Sequence, residues 1–140
     1  MIVLDTNVVA EPMKADFAPA VCTWLDRQVA ETLYLTAVSL SELLLGIALL
    51  PSGRRRDGLD AALTELMERL FGSRILPFDE TAAARYATLM AKARAGGRAI
   101  SVADGQIAAI AAVHGFSVAT RDTAPFLAAG VPVLDPWAAR

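Results

Sequence analysis

At 140 residues the chain is long enough for one domain with a substantial core and too short for two, so residues 1–140 are expected to fold as a unit, and a net charge of −2 gives no global electrostatic footprint for nucleic acid. Apolar residues make up 55% of the chain, rich for a soluble monomer, which predicts apolar surface covered by a partner chain; yet no uninterrupted apolar stretch approaches the roughly twenty residues of a membrane span. Cys22 and His114 are the only residues of their types, which excludes an internal disulfide and the usual zinc ligand sets, and Asp5 breaks the apolar start that a signal peptide needs, so a cytoplasmic protein is expected.

Ile2 to Leu4 reads as a first strand, followed by the turn residues Asp5, Thr6 and Asn7 and the breaker Pro12. Pro19 suits the start of a helix with Val21, Trp24, Leu25 and Gln28 at helical spacing, the first three forming its apolar stripe. Leu33 to Thr36 predicts a second strand. Ser39 is a plausible N-cap for a helix through Leu43, Leu44, Ile47 and Leu50 that Pro51 ends; it is apolar nearly all round, so it is expected to be buried or interfacial. The basic run Arg54, Arg55 and Arg56 then falls on a loop and is read as solvated rather than as a phosphate contact.

Leu59, Leu63, Leu66, Met67, Leu70 and Phe71 make an amphipathic stripe that Gly72 stops. Ile75 to Phe78 is a short extended piece, Asp79 caps a helix carrying Tyr86, Leu89 and Met90, and Gly96-Gly97 ends it. Ser101 opens the next helix, with Ile107 and Ile110 inward and Gly115 as its stop; His114 beside that stop is read as a cation at a helix C-terminus, not as a catalytic base. Phe116 to Thr120 follows as a strand, then a short helix around Phe126-Leu127, then the edge-like Val131 to Leu134. Such alternation predicts an α/β fold, three layers deep, with a mainly parallel central sheet and helices on both faces.

In such sheets ligands collect beyond the carboxyl ends of the strands. Asp5 and Asp122 stand at strand ends, while Glu42 and Asp104 stand in the first turns of helices, so four acids are expected at one sheet edge. Gathered carboxylates repel unless a cation restores the balance, and an all-oxygen donor set fits magnesium or manganese. Such an ion acidifies bound water and neutralises charge on a phosphoryl oxygen, which makes phosphodiester hydrolysis the natural reaction. Thr6, Asn7, Ser39 and Thr120 would orient the carboxylates or bind metal waters, and Arg98 and Arg121 are placed for substrate. Each acid also has a plainer role open to it: Ser39…Glu42 and Ser101…Asp104 both match a capping box, and Asp5 and Asp122 suit turns. The hydroxyl and amide neighbours could equally satisfy cap and turn backbone groups.

The segments Met1 to Asn7, Ser41-Glu42-Leu43, Ala103 to Ala109 and Ala119 to Asp122 together resemble the four acidic motifs of the PIN-domain ribonucleases, and more narrowly the VapC-type toxins and their FitB-like branch. Ile75 to Asp79 and the ending Asp135-Pro136-Trp137 extend the likeness over nearly the whole chain, in order and spacing. The resemblance implies a bacterial toxin of a toxin–antitoxin pair that cleaves RNA with magnesium or manganese. It puts Asp5, Glu42, Asp104 and Asp122 at the family's acidic positions, Asp5 and Asp104 foremost as direct ligands, and Thr120 at its supporting hydroxyl. It also implies a homodimer, and a small DNA-binding antitoxin whose C-terminal segment folds over the acidic groove; further pairing of dimers stays open. Two other readings remain: a catalytically silent module whose acidic pocket docks an antitoxin arginine, and a phosphatase-like domain with Asp5 as nucleophile. Against the second, no aspartate stands two residues after Asp5.

Overall fold

The computed structural model describes residues 1–138; Ala139 and Arg140, the end of the expected 1–140 unit, lie outside the described residues. In chain order the strands are β1 (Ile2–Leu4), β2 (Leu33–Thr36), β3 (Ile75–Leu76), β4 (Ser117–Ala119) and β5 (Val133–Leu134). The helices are α1 (Thr6–Ala10), α2 (Pro19–Asp26), α3 (Ala37–Ala48), α4 (Arg54–Leu70), α5 (Glu80–Ala95), α6 (Val102–His114) and α7 (Thr123–Ala128). Short 3-10 turns follow α1 and precede β2.

The strands form one sheet in the order β3-β2-β1-β4-β5, with every pairing parallel. The chain therefore winds outward from β1 to β3, then returns to the other side of β1, and β1 and β4 flank the point where winding reverses. Parallel strands must be buried on both faces. Accordingly Val3 and Val118 join one core with Leu89, Met90, Ile107 and Phe126, and their neighbours Leu4 and Ala119 join the other with Val8, Leu25, Leu43 and Leu66. The period of two in each strand separates the faces. Helices α1–α4 cover one and α5–α7 the other, giving the expected three layers.

Three local expectations need correction. Asp5-Thr6-Asn7 is no simple turn: Asp5 caps α1, accepting from the Thr6 amide. Thr36, not Ser39, caps α3, its hydroxyl accepting from the Ser39 amide, so Glu42 sits in the second turn and not the first. The three arginines form the first turn of α4 rather than a loop, behind Gly53 at φ +152. Helix α3 buries one side and leaves the other open: Leu43 and Ile47 are buried, whereas Leu44, Leu45 and the C-cap Leu49 are 47, 58 and 75% exposed.

Candidate active site

The sheet register builds the centre of the site. Because Leu4 lies opposite Ala119 and the Asp5 amide donates to the Ala119 carbonyl at 2.9 Å, the next residues, Asp5 and Thr120, emerge side by side at the carboxyl ends of β1 and β4. Both are buried, and Thr120 Oγ1 donates to Asp5 Oδ2 at 2.8 Å. The Thr6 amide donates to Asp5 Oδ1 at 2.8 Å, and Asn7 Nδ2 lies 3.5 Å from both Asp5 Oδ2 and Thr120 Oγ1. A carboxylate offers about four acceptor sites. Three are occupied, which orients the group and leaves one on Oδ1.

The same residues tie in the neighbouring acids. Thr6 Oγ1 donates to Glu42 Oε1 at 2.8 Å, so α1 carries the hydroxyl that orients a carboxylate on α3. Asn7 Oδ1 accepts from the Arg121 amide at 3.3 Å, and Thr120 Oγ1 accepts from the Asp122 amide at 3.1 Å, which folds the β4–α7 connection back over Asp5. Asp104 enters from α6, whose N-cap Ser101 accepts from the Asp104 amide at 3.1 Å as the capping pattern predicts. Gly105 beside it lets α5 approach: a Cβ there would stand 2.6 Å from Met90 Sδ and 2.9 Å from Tyr86 Cε2.

Ser39 stands apart from this network. Its side chain is fully buried, and its hydroxyl has no hydrogen-bond partner among the described residues. Sequence reasoning missed two contributors. Thr36 sets where α3 starts, and Trp137, read only as part of the chain's ending, gives Arg121 the aromatic neighbour that its local sequence lacks, with the guanidinium carbon 5.3 Å from the ring centroid. The hydroxyl ending β2 was a legible signal for the first; nothing local announced the second.

The electrostatics follow from burial. Desolvation pushes the Asp5 carboxyl up to about 6, against the bonds from Thr120 and Thr6, and the charges of Asp104 and Glu42 push the same way. Asp104 is also raised, first by burial and then by the carboxylates of Asp122 and Glu42, against the Ser101 hydroxyl. Asp5 thus feels Asp104 and Glu42, and Asp104 feels Asp122 and Glu42. Among the described residues no three acidic, histidine or cysteine side chains close into a ready metal cage. The positive observation is the donor chemistry: the acceptor left free on Asp5 Oδ1 is a carboxylate oxygen, the kind of ligand a hard cation takes. No helix among the described residues is long and apolar enough to cross a membrane.

Residues 2–131 match the PIN domain family. The chain is 51% identical over 138 residues to VapC ribonuclease Y4jK of Sinorhizobium fredii, covering 98% of each chain. It is 47% identical to Toxin FitB of Neisseria gonorrhoeae over 137 residues, 98% of this chain and 99% of the relative. Among solved structures it superposes on the crystal structure of FitAcB from Neisseria gonorrhoeae with a TM-score of 0.94 at 46% identity, covering 99% of each chain. A structure of FitAB bound to a DNA fragment superposes with a TM-score of 0.95 at 44% identity, covering 100% of this chain and 98% of that one. The match spans the sheet, the helices on both faces and the strand ends that gather the acids: this chain belongs to the PIN domain family and is a homologue of the VapC and FitB toxins.

Proposed function

We propose that residues 1–140 form one metal-dependent endoribonuclease domain that acts as the toxin of a type II toxin–antitoxin pair in the bacterial cytoplasm. The observation that carries this reading is the buried Asp5 carboxylate, fixed by Thr120 and Thr6 with one acceptor left over, amid three more acids at the reversal point of a parallel sheet. Asp5 and Asp104 would be the direct ligands of magnesium or manganese, with Asp122 beside them and Glu42 acting through water. When bound, the ion supplies acidified water and charge neutralisation at the phosphoryl oxygens.

The protein's own residues do the rest. Thr120 holds the Asp5 carboxylate in one orientation and favours its ionised form. Thr6 turns Glu42 toward the same edge, where its carboxylate can accept a proton from the water that attacks phosphorus, while the opposite P–O bond breaks and the leaving sugar oxygen takes a proton from solvent. Asn7 ties the Arg121 backbone to the site, and Trp137 steadies the guanidinium against which a backbone phosphate would rest.

Two further features support the partners. A cavity of about 730 Å³ lined by Met13, Leu43, Ile47 and Leu59 begins at Thr6 and Glu42, a fitting seat for an antitoxin segment laid over the acids. The exposed leucines of α3 supply apolar surface for a homodimer. Purified protein should cut RNA with manganese, stop with chelator, and lose activity in Asp5→Asn and Asp104→Asn while keeping its circular dichroism spectrum. Undiminished cutting by the folded variants would overturn the assignment of the acids. No cutting by the wild type would favour a silent docking module.

A further inference from the structure

We propose that the cavity beside Asp104 and Asp122 is a nucleobase subsite in which Arg98 recognises a guanine adjoining the scissile phosphate. The inference rests on the ribonuclease reading. The cavity is about 580 Å³, room for a purine, and three kinds of group line it. Asp104 and Asp122 belong to the reaction centre, so a base seated here belongs to a nucleotide next to the reacting bond. Ala124, Pro125 and Leu127 of α7 supply apolar surface, and Leu127 is 59% exposed although its helix packs on the sheet. Arg98 is the single cation of the lining.

Arg98 is held by its backbone. The α5 helix ends with Gly97 at φ +71, and the Arg98 amide donates back to the Ala93 carbonyl at 2.8 Å, a Schellman-type stop that only glycine accommodates easily. Three residues later Ser101 caps α6, so Arg98 sits on a short link fixed at both ends. Its guanidinium makes no ion pair and no hydrogen bond among the described residues, although two carboxylates line the same cavity; the one ion pair among those residues is Lys14–Glu11. Five donors in a planar fork remain for a ligand.

Charge and edge chemistry select the occupant. Carboxylates in the lining disfavour a phosphate, whereas a neutral base is tolerated. Guanine presents two acceptors, O6 and N7, on one edge and receives both prongs of an arginine; adenine sets a donor beside its acceptor, and the pyrimidines lack the pair. The apolar wall then covers the purine face.

The test is sequencing of the cut ends after a random RNA pool is treated with wild type, Arg98→Gln and Arg98→Lys in manganese. Base frequency at the cut is a ratio within each reaction, so a slower variant is still read. Guanine should be enriched beside the cut in wild type by about tenfold and fall to its frequency in the pool in both variants, since lysine keeps the charge but not the fork. No guanine enrichment in wild type, or an unchanged profile in the variants, overturns the subsite. An unchanged profile together with lost neutralisation by an antitoxin would assign the cavity to a protein partner and equally overturn it. Should wild type cut no RNA, the ribonuclease reading fails, and nuclear magnetic resonance titration with GMP and AMP then decides the cavity: Arg98-dependent preference for GMP supports it, and equal binding overturns it.

Discussion

Replacing Asp5 by asparagine should make the metal-free protein more stable while abolishing its cleavage of RNA. Asp5 is 5% exposed, and its carboxyl is raised from 3.8 to about 6 chiefly by burial, so its ionised form is disfavoured by folding. The sign follows from linkage: a raised acid favours the native state when protonated, and that contribution is lost as pH rises from the unfolded value through the folded one. About two units at about 1.4 kcal/mol each is about 3 kcal/mol of destabilisation above pH 6. Asparagine keeps the shape and still accepts from the Thr6 amide, but its amide faces Thr120 Oγ1 and crowds Asn7, which returns part of the gain. A net stabilisation of about 2 kcal/mol remains, or about 7 °C in Tm for a chain of this size. Calorimetry in chelator should find Asp5→Asn melting above wild type at pH 8, with the gap closing towards pH 4. Manganese should raise the wild-type Tm and leave the variant unmoved, reversing the order. A variant less stable than wild type at pH 8, or a gap that does not change with pH, would refute the burial argument.

Thr120→Val removes the hydroxyl that favours ionised Asp5, so Asp5 should titrate higher and the rise of cleavage with pH should move to more alkaline values; Thr120→Ser should restore it, and an unmoved profile would sever Thr120 from Asp5. Trp137→Leu frees Arg121 from its ring, and RNA binding should weaken about threefold with KM affected more than kcat, which steady-state kinetics resolves. Gly105→Ala forces Met90 and Tyr86 aside on α5, a cost of about 1–3 kcal/mol that exceeds the gain of about 1 kcal/mol in helix propensity. Thermal melting should drop by a few degrees, and a rise would show that α5 yields freely.

The positions of Asp5, Asp104 and Asp122 were legible because each follows a short apolar run or opens a helical pattern. Asp5 and Asp104 could be assigned to a sheet edge from those patterns alone. The contact of Asp5 with Thr120 could not, since it depends on the pairing of β1 with β4 across more than a hundred residues, and parallel order leaves no turn in the sequence to mark it. Glu42 was placed a turn too early for a local reason. Thr36 and Ser39 both have the cap side chain, and the pattern with Glu42 favoured Ser39, but β2 runs straight into α3 and presents Thr36 first. At five residues α1 is too short for a helical period, so its cap Asp5 reads as a turn residue, and α4 starts behind a glycine with no capping side chain to announce it. The exposure of Leu44, Leu45 and Leu49 is the counterpart of the apolar surplus in the composition.

The most direct test is anomalous diffraction from a crystal soaked in manganese. A peak about 2.1 Å from an Asp5 carboxylate oxygen, with Asp104 on the same ion directly or through one water, is the expected result. Manganese absent from Asp5, or bound only at acids away from the ends of β1 and β4, would contradict a shared divalent ion as the purpose of this cluster.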